Sequence, residues 1–196
     1  LPAGIIRVFP PSFEVGLAKL MSVMIPTWVN GQLVPVEKLK AHQDGLLHKA
    51  VSVFMICGSS ILIQRRALEK YHTPGLWANT CCTHPFWDEP AIQCAKRRMK
   101  DELGIADCQP VFRDKVEYRA DVGNGFTEHE HVSVFSIHVE TPPQMTLNQD
   151  EVMGVRWVDY HALKADVQND PDKFTPWLKI YLDQHSESIF DAKLLK

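Results

Sequence analysis

The chain has 196 residues, of which 45% are apolar, and its 21 basic and 24 acidic residues give a formal net charge of −3. That length and apolar share predict one domain with one well-filled core, of the α/β (α+β) class. The mixed charge gives no reason to expect nucleic acid or an anionic membrane as a partner. No apolar run is long enough to cross a bilayer.

The five cysteines indicate the compartment. Their number is odd and their spacing is not that of a disulfide framework. A disulfide-stapled secreted domain is therefore not expected, and no signal peptide with a basic start, an apolar middle and a small-residue cleavage site is present. The sequence predicts a cytoplasmic protein.

The first twenty residues differ from the rest of the chain. They begin without Met, contain Pro10 and Pro11, and show no periodicity that continues beyond them. We interpret residues 1–20 as an N-terminal arm or a vector-derived segment, and residues 21–196 as a single domain.

Two hairpins are predicted next in the chain. Residues 28–36 form two short strands around Asn30-Gly31, a dipeptide that tolerates the positive φ of a tight turn. The apolar segments 50–57 and 61–64 form a second pair of strands, joined by Gly58-Ser59-Ser60. This region therefore supplies the first half of a sheet, with the first hairpin as an N-terminal extension.

The second half of the chain returns to strands before it ends in helices. Alternation in residues 128–140, a segment rich in β-branched residues, places Glu128 and Glu130 on one face of a strand, with His129 and His131 opposite. Other segments complete the domain: strands over 111–120 and 151–158, a turn at 123–125, and helices over 160–167 and 176–190.

One helix and the loop before it hold the densest group of reactive side chains. Pro90 suits a first helical turn, Asp88 is a candidate N-cap, and Gly104 stands where the chain leaves the helix. A stripe at steps of three and four is expected to face the core: Ile92, Ala95, Met99 and Leu103. The preceding loop reads TPGLWANTCCTHP.

The pattern of Glu89, seven intervening residues, Arg97 and then the run from Arg98 to Ile105 resembles the Nudix box. Two positions depart from the box: Thr83 stands in place of its first Gly and Arg98 in place of a Glu, while Asp101 replaces a Glu conservatively. Together with the segment from Asn79 to Pro85, this pattern is similar to the type I isopentenyl-diphosphate delta-isomerases of the Nudix superfamily. The resemblance extends over residues 28–177 and implies a Nudix-like mixed sheet sandwiched between helices.

The resemblance also implies one divalent transition metal, Mn²⁺, Zn²⁺ or Fe²⁺, because all five residues of the family's three-His, two-Glu site have counterparts here. Imidazole nitrogens and carboxylate oxygens suit such a metal, although the spacing alone would be weak evidence. The implied ligands are His42, His48, His84, Glu128 and Glu130. The remaining histidines have ordinary interpretations, in strands for His129, His131 and His138, and at the surface for His72, His161 and His185.

A diphosphate substrate is implied by two further groups of residues. Glu102 matches the family's Mg²⁺ ligand, near the Cys82 region, although a helix salt bridge with Arg98 is the commoner fate of such a residue. Basic residues from three segments match the diphosphate-binding set, and Trp177 matches an aromatic wall that would shield a cation. The basic set is Lys38, Arg66, Lys70 and Arg98.

The implied reaction interconverts isopentenyl and dimethylallyl diphosphate in isoprenoid biosynthesis, through a tertiary carbocation. It needs one group to protonate the alkene and another to remove a proton from the neighbouring methylene. Glu130, assisted by Tyr118, matches the first role, and Cys82, as a thiolate of lowered pKa, matches the second. The partner is thus a small-molecule diphosphate, and the protein is expected to be a monomer or a weak homodimer.

Three alternatives stay open from the sequence. A Nudix diphosphate hydrolase would use several box carboxylates to hold its metals, and Arg98 in place of one of them counts against it. A non-catalytic, metal-stabilised domain of a larger assembly leaves the basic residues near the box unexplained. A family member that has lost activity is the third, and the substitution of Thr83 for Gly beside Cys82 is the change that favours it.

Overall fold

The computed structural model describes residues 23–196, so the interpretation of residues 1–20 lies outside the described part of the chain. Nine strands form one mixed sheet: β1 Met24–Val29, β2 Gln32–Glu37, β3 His48–Cys57, β4 Ser60–Arg66, β5 Trp77–Ala78, β6 Cys81–Thr83, β7 Val111–Asp121, β8 Thr127–Val139 and β9 Val152–Asp159. The helices are α1 Lys38–Gln43, α2 Ala91–Leu103, α3 Tyr160–Asn169, a 3-10 turn Pro171–Lys173, α4 Pro176–Gln184 and α5 Ser186–Ile189.

Strand β3 organises the sheet because it pairs along both of its edges. It runs parallel to β8 along its whole length, from His48 opposite Glu130 to Cys57 opposite Val139. Its other edge pairs antiparallel with β6 and then with β4. Strand β7 extends the sheet beyond β8, β9 and β5 extend it beyond β4, and the β1–β2 hairpin joins β3 through Thr27.

Alternate residues of β3 enter two different cores. Val53 and Met55 pack against α2, whose Met99 and Leu103 are fully buried. Phe54 faces the opposite side and packs against α4 and α5, as does Ile56. A strand buried on both faces needs a continuous apolar run, which is what the sequence has here. The predicted mixed sheet between helices is confirmed.

The two hairpins form where the sequence places them. Asn30 and Gly31 have φ values of 51° and 77°, the left-handed pair that a tight two-residue turn requires. The second hairpin turns at Gly58, whose φ is 60°. Its strands are longer than predicted: the first begins at His48 and the second ends at Arg66. These two candidate site residues therefore belong to the sheet.

Helix α2 differs from the prediction at its start. Asp88 is not the N-cap: its φ is 60°, the helix begins at Ala91, and Pro90 occupies the N-cap position. Ile92 is 40% exposed and does not belong to the core stripe. The helix ends as expected at Gly104, with a left-handed φ of 73°.

Other elements differ from the prediction in length or were not predicted. The C-terminal helix is interrupted at His185, so residues 176–190 form α4 and α5 rather than one helix. The short elements α1, β5 and β6 were not predicted, because runs of two to six residues carry little periodicity. None of the helices in residues 23–196 is long and apolar enough to span a membrane.

Candidate active site

Strand register brings the candidate residues to one part of the sheet. His48 on β3 lies opposite Glu130 on β8, and Glu130 lies opposite Tyr118 on β7. Ser52, four residues after His48 on β3, lies opposite Cys82 on β6. The site is thus built mainly on four strands, which hold side chains more rigidly than loops do.

A cavity of about 40 Å³ lies between these strands, the β4–β5 loop and the start of α4. Most of the residues that the sequence singled out line it. The lining residues are Lys38, Arg66, Lys70, Tyr71, His72, Cys82, Thr83, His84, Arg98, Tyr118, Glu128, Glu130 and Trp177.

The five candidate metal ligands converge beside this cavity. Each offers one nitrogen or oxygen, these atoms all lie within 4.8 Å of one another, and all five side chains are buried. The group consists of His42, His48, His84, Glu128 and Glu130. Four elements or connecting segments supply it, which explains why no compact motif in the sequence revealed it.

Two of the imidazoles are held in the orientation that a metal requires. Nδ1 of His42 lies 2.6 Å from the carbonyl oxygen of Lys38, and Nδ1 of His48 lies 2.7 Å from that of Leu46. A carbonyl oxygen only accepts, so each Nδ1 carries a proton and donates it. In a neutral ring the lone pair is then on Nε2, which points into the cluster.

In each carboxylate, one oxygen contacts a side chain that is not among the five candidate ligands, and the other faces a histidine of that group. The hydroxyl of Tyr118 donates to Oε2 of Glu130 over 2.6 Å, and Oε1 lies 2.9 Å from Nε2 of His84. Oε1 of Glu128 lies 3.0 Å from Nε2 of His72, and its Oε2 lies 3.3 Å from Nε2 of His42.

Some nitrogen and oxygen atoms at the centre of this group lack hydrogen-bond partners among the described residues. Nε2 of His42 and Oε2 of Glu128 are buried and have no hydrogen-bond partner of acceptable geometry within residues 23–196, although they lie near each other. Nε2 atoms of His48 and His84 face each other at 3.2 Å. Buried polar atoms without partners are costly, and a cation would satisfy them together. The residues therefore fit a divalent metal.

The two carboxyl groups titrate differently. Burial and the negative charge of Glu128 raise the pKa of Glu130. Burial also opposes ionisation of Glu128, but the imidazoles of His42 and His72 outweigh it and hold the pKa of Glu128 well below its usual range. Two like charges this close do not ionise together readily, so one carboxylate and one carboxylic acid result.

Cys82 faces the cavity from β6, and three polar side chains lie behind it. Its Sγ lies 2.8 Å from Oγ of Ser52 and donates to Oδ1 of Asn79 at 3.1 Å, while Oγ of Ser52 lies 2.9 Å from the hydroxyl of Tyr181. Burial, and then the charge of Glu130, raise the pKa of Cys82 despite hydrogen bonds that lower it. The lowering of this pKa that is expected beside Mg²⁺, Arg and Lys therefore stays a prediction.

The four predicted basic residues lie along the other side of the cavity. Burial, and then the charge of Arg98, lower the pKa of Lys38 to about 8. Lys70 forms a short salt bridge with Glu151, and Arg98 lies 3.3 Å from the same carboxylate. Arg66 is buried and its guanidinium lies 5.3 Å from the ring centre of Trp177. Glu151 thus partly neutralises a strongly basic wall, and Glu102 also pairs with Arg98.

Glu102 lies apart from the group of five. Its Oε1 accepts from Arg98 at 2.5 Å and its Oε2 accepts from Gln64 at 3.0 Å. Burial opposes its ionisation, but the charges of Arg98 and Lys70 prevail and lower its pKa. The structure therefore has the helix salt bridge, and the lowered pKa favours the charged carboxylate.

The structure corrects the expected position of His72. It was expected at the surface, but only 4% of it is exposed and it touches Glu128. Ser52, Tyr181 and Glu151 were not singled out at all. No local motif marks any of these four residues, because each acquires its neighbours through pairing or packing between distant segments.

The NUDIX domain model matches residues 46–178. The chain belongs to the NUDIX family. A protein of Ruegeria pomeroyi named isopentenyl-diphosphate Delta-isomerase is 59% identical over 175 residues, which is 89% of this chain and 97% of that protein. Proteins of the same name from Dinoroseobacter shibae and Cereibacter sphaeroides are 56% and 58% identical, over 87% of this chain and 97% and 96% of theirs. The resemblance inferred from the sequence is confirmed, and the hydrolase alternative is not favoured.

Solved structures agree on the fold. A MutT NUDIX hydrolase from Burkholderia pseudomallei superposes with a TM-score of 0.55 at 22% identity, covering 71% of this chain and 98% of that one. A NUDIX hydrolase from Nitrosomonas europaea gives a TM-score of 0.53 at 17% identity, covering 75% and 94%. At these identities the likeness shows the NUDIX fold alone.

The structure explains how this NUDIX protein tolerates its departures from the box. Thr83 lies in β6 opposite Val51, where the backbone is extended and does not require glycine. Glu89 accepts from Arg97 through both carboxylate oxygens at 2.7 Å, so this box pair holds the loop onto α2. Arg98 faces the cavity and not this pair.

Proposed function

We propose that this protein interconverts isopentenyl diphosphate and dimethylallyl diphosphate by a 1,3-allylic proton shift. The observation that carries the proposal is that Cys82 and Glu130, whose groups differ chemically, line one cavity beside a basic wall. The strong likeness to proteins named isopentenyl-diphosphate Delta-isomerase supports the same assignment. We also propose that the protein acts in the cytoplasm, where its five free thiols persist, as a monomer or a weak homodimer.

Two metal ions belong to the proposal. The five converging residues would hold one Mn²⁺, Zn²⁺ or Fe²⁺, and the charged Glu102 would help to hold Mg²⁺ with the substrate diphosphate. When bound, the transition metal would withdraw charge from Glu130 and make it a stronger acid, and Mg²⁺ would neutralise phosphate charge.

The basic wall would bind the diphosphate. Lys70 and Arg98 would exchange Glu151 for phosphate oxygens, and Arg66 would add a planar donor pair beside Trp177. The cavity is far smaller than the roughly 300 Å³ and more of typical ligand sites. Substrate entry therefore requires side chains of this wall to move, and breaking the ion pairs with Glu151 is the change the geometry favours.

Glu130 would supply the proton. Burial and the charge of Glu128 raise its pKa, which favours the protonated form, and its Oε2 lies beside the hydroxyl of Tyr118. Transfer of this proton to the terminal alkene carbon of isopentenyl diphosphate breaks the O–H bond, forms a C–H bond and leaves a tertiary cation. The hydroxyl of Tyr118 then donates to the carboxylate that remains.

Cys82 would complete the reaction by accepting a proton from the methylene next to the cation. The electrons of that C–H bond become the new double bond of dimethylallyl diphosphate. Because burial raises the pKa of this thiol, it must first release its own proton to solvent before it can accept one from the methylene. A hydrogen bond donated by Ser52, whose Oγ can accept from the hydroxyl of Tyr181, would stabilise the thiolate.

Trp177 would protect the cation from water. It is 2% exposed, and its ring lines the cavity. An indole face stabilises positive charge without offering a nucleophile, so the cation would collapse by proton loss instead of hydration.

A direct assay tests the proposal. In deuterated water with Mg²⁺ and Mn²⁺, we expect conversion of isopentenyl diphosphate to dimethylallyl diphosphate with incorporation of deuterium. Cys82→Ala and Glu130→Gln should each abolish net turnover, whereas Cys57→Ala, which removes a half-buried thiol far along β3, should not. Near-parental turnover in either site variant would refute the role given to it. Phosphate release from nucleoside diphosphate derivatives, without isomerisation, would support a hydrolase instead.

A further inference from the structure

His72 has a position that the proposed reaction does not account for. It lies in the loop between β4 and β5, is 4% exposed, and is not one of the five converging residues. Its Nε2 lies 3.0 Å from Oε1 of Glu128. It therefore touches a candidate ligand without belonging to the group of five.

We propose that His72 is a positioning residue that orients Glu128 for the metal. Oε2 of Glu128, the oxygen that His72 leaves untouched, lies 3.3, 3.8 and 4.0 Å from the Nε2 atoms of the three cluster histidines. If Oε1 were not held, the carboxyl group would be free to rotate and to turn either oxygen, or neither, toward the metal. The three histidines are His42, His48 and His84.

The ring of His72 is itself held so that Nε2 donates. Nδ1 lies 3.2 Å from Oγ1 of Thr73, whose hydroxyl can donate to it, and this leaves the proton on Nε2 for Glu128. The ring also stacks on His42, with centroids 5.6 Å apart and an angle of 22° between the planes. One neighbour therefore fixes the tautomer and the other fixes the plane.

The loop that carries His72 is fixed as well. Thr73 has a φ of 45°, an uncommon value for a β-branched residue, which persists only where the surroundings hold it. Arg66 supplies that restraint, because its guanidinium donates to the carbonyl oxygens of His72 at 3.1 Å and Thr73 at 3.2 Å. A strained, doubly tethered backbone is suited to presenting one side chain accurately.

Outer hydrogen-bond partners of metal ligands typically contribute about 10- to 100-fold to metal affinity. This inference rests on the proposed metal centre, so the test measures metal binding and not turnover. Mn²⁺ affinity is measured by calorimetry and by the electron paramagnetic resonance signal of free Mn²⁺, without diphosphate. We expect His72→Ala to weaken Mn²⁺ binding by about 10- to 100-fold.

His72→Gln separates orientation from ligation. Its amide can reach Glu128 and donate, but it does not replace an imidazole nitrogen as a metal ligand. We expect its Mn²⁺ affinity to stay within a few-fold of the parental value. As a matched control, His161→Ala removes an exposed imidazole on α3 and should change nothing.

Each outcome distinguishes between explanations. Parental affinity in His72→Ala would overturn the inference, and equal losses in the Ala and Gln variants would overturn it in favour of direct ligation. Absence of Mn²⁺ binding by the parental protein would instead refute the metal centre. Thermal unfolding of the metal-free variants checks folding, and if His72→Ala does not fold, His72→Asn, whose shorter amide does not reach Glu128, supplies the same comparison.

Discussion

Replacing Tyr118 with Phe removes one hydroxyl and little else from the site. That hydroxyl donates to Oε2 of Glu130 over 2.6 Å, and the side chain of Tyr118 is buried between β8 and the core that contains Tyr181. The Phe ring fits the same space, so the change isolates one hydrogen bond to the group that we propose supplies the proton.

Only the part of this hydrogen bond that strengthens during proton transfer affects kcat. Before transfer the acceptor is a neutral carboxylic acid, and such a bond contributes about 0.5–1.5 kcal/mol. After transfer the acceptor is a carboxylate, and the bond contributes about 1.5–3 kcal/mol. The difference of about 1–1.5 kcal/mol predicts that kcat falls about 5- to 13-fold in Tyr118→Phe.

The assay is the initial rate of dimethylallyl diphosphate formation at saturating substrate and metals. Tyr71→Phe is the matched control, since Tyr71 lines the same cavity but its buried hydroxyl has no hydrogen-bond partner within residues 23–196. That variant should not lose stability. A kcat within twofold of the parental value in a folded Tyr118→Phe variant would refute the reasoning, because the hydrogen bond would then be equally strong before and after transfer.

Two further predictions concern the basic wall and the end of α2. Glu151→Gln should strengthen binding of inorganic pyrophosphate about 2- to 5-fold without Mg²⁺, because it frees Lys70 and leaves Arg98 paired only with Glu102; calorimetry showing weaker binding would contradict this. Gly104→Ala should lower the free energy of unfolding in urea by at least about 1 kcal/mol, because φ is 73° and the new Cβ would lie 2.9 Å from the carbonyl oxygen of Thr146. An unchanged urea midpoint would show that the backbone there adapts freely.

Local signals in the sequence were sufficient for much of the fold. Asn30-Gly31 and Gly58 allowed the turns of two hairpins to be predicted, and the apolar run of β3 indicated a buried strand. The prediction was less accurate where tertiary packing alone determines the exposure of a side chain or the end of a helix. Ile92 shares the period of the α2 stripe yet is exposed, and the two C-terminal helices read as one because nothing in the local pattern marks the break at His185.

The candidate site could be listed from the sequence only through the family resemblance. Alternation placed Glu128 and Glu130 on one face, but the residues that meet them are distant in the chain. His72 shows the limit of this approach. Its approach to Glu128 depends on a left-handed backbone at Thr73 and on the tether from Arg66, neither of which composition or spacing predicts.

The two glutamates of β8 have different surroundings, which suit the different functions that we propose for them. Both are buried in the same site, so burial alone would raise both pKa values. The imidazoles around Glu128 instead lower its pKa, and a charged carboxylate suits the metal ligand that we propose. Glu130 lies beside that negative charge and the hydroxyl of Tyr118, and its raised pKa favours the protonated form that we propose as the acid. Exchanging the two environments would give a metal ligand that holds a proton and an acid that is already ionised and has no proton to donate, which is why the hydrogen bonds from outside the cluster matter as much as the ligands themselves.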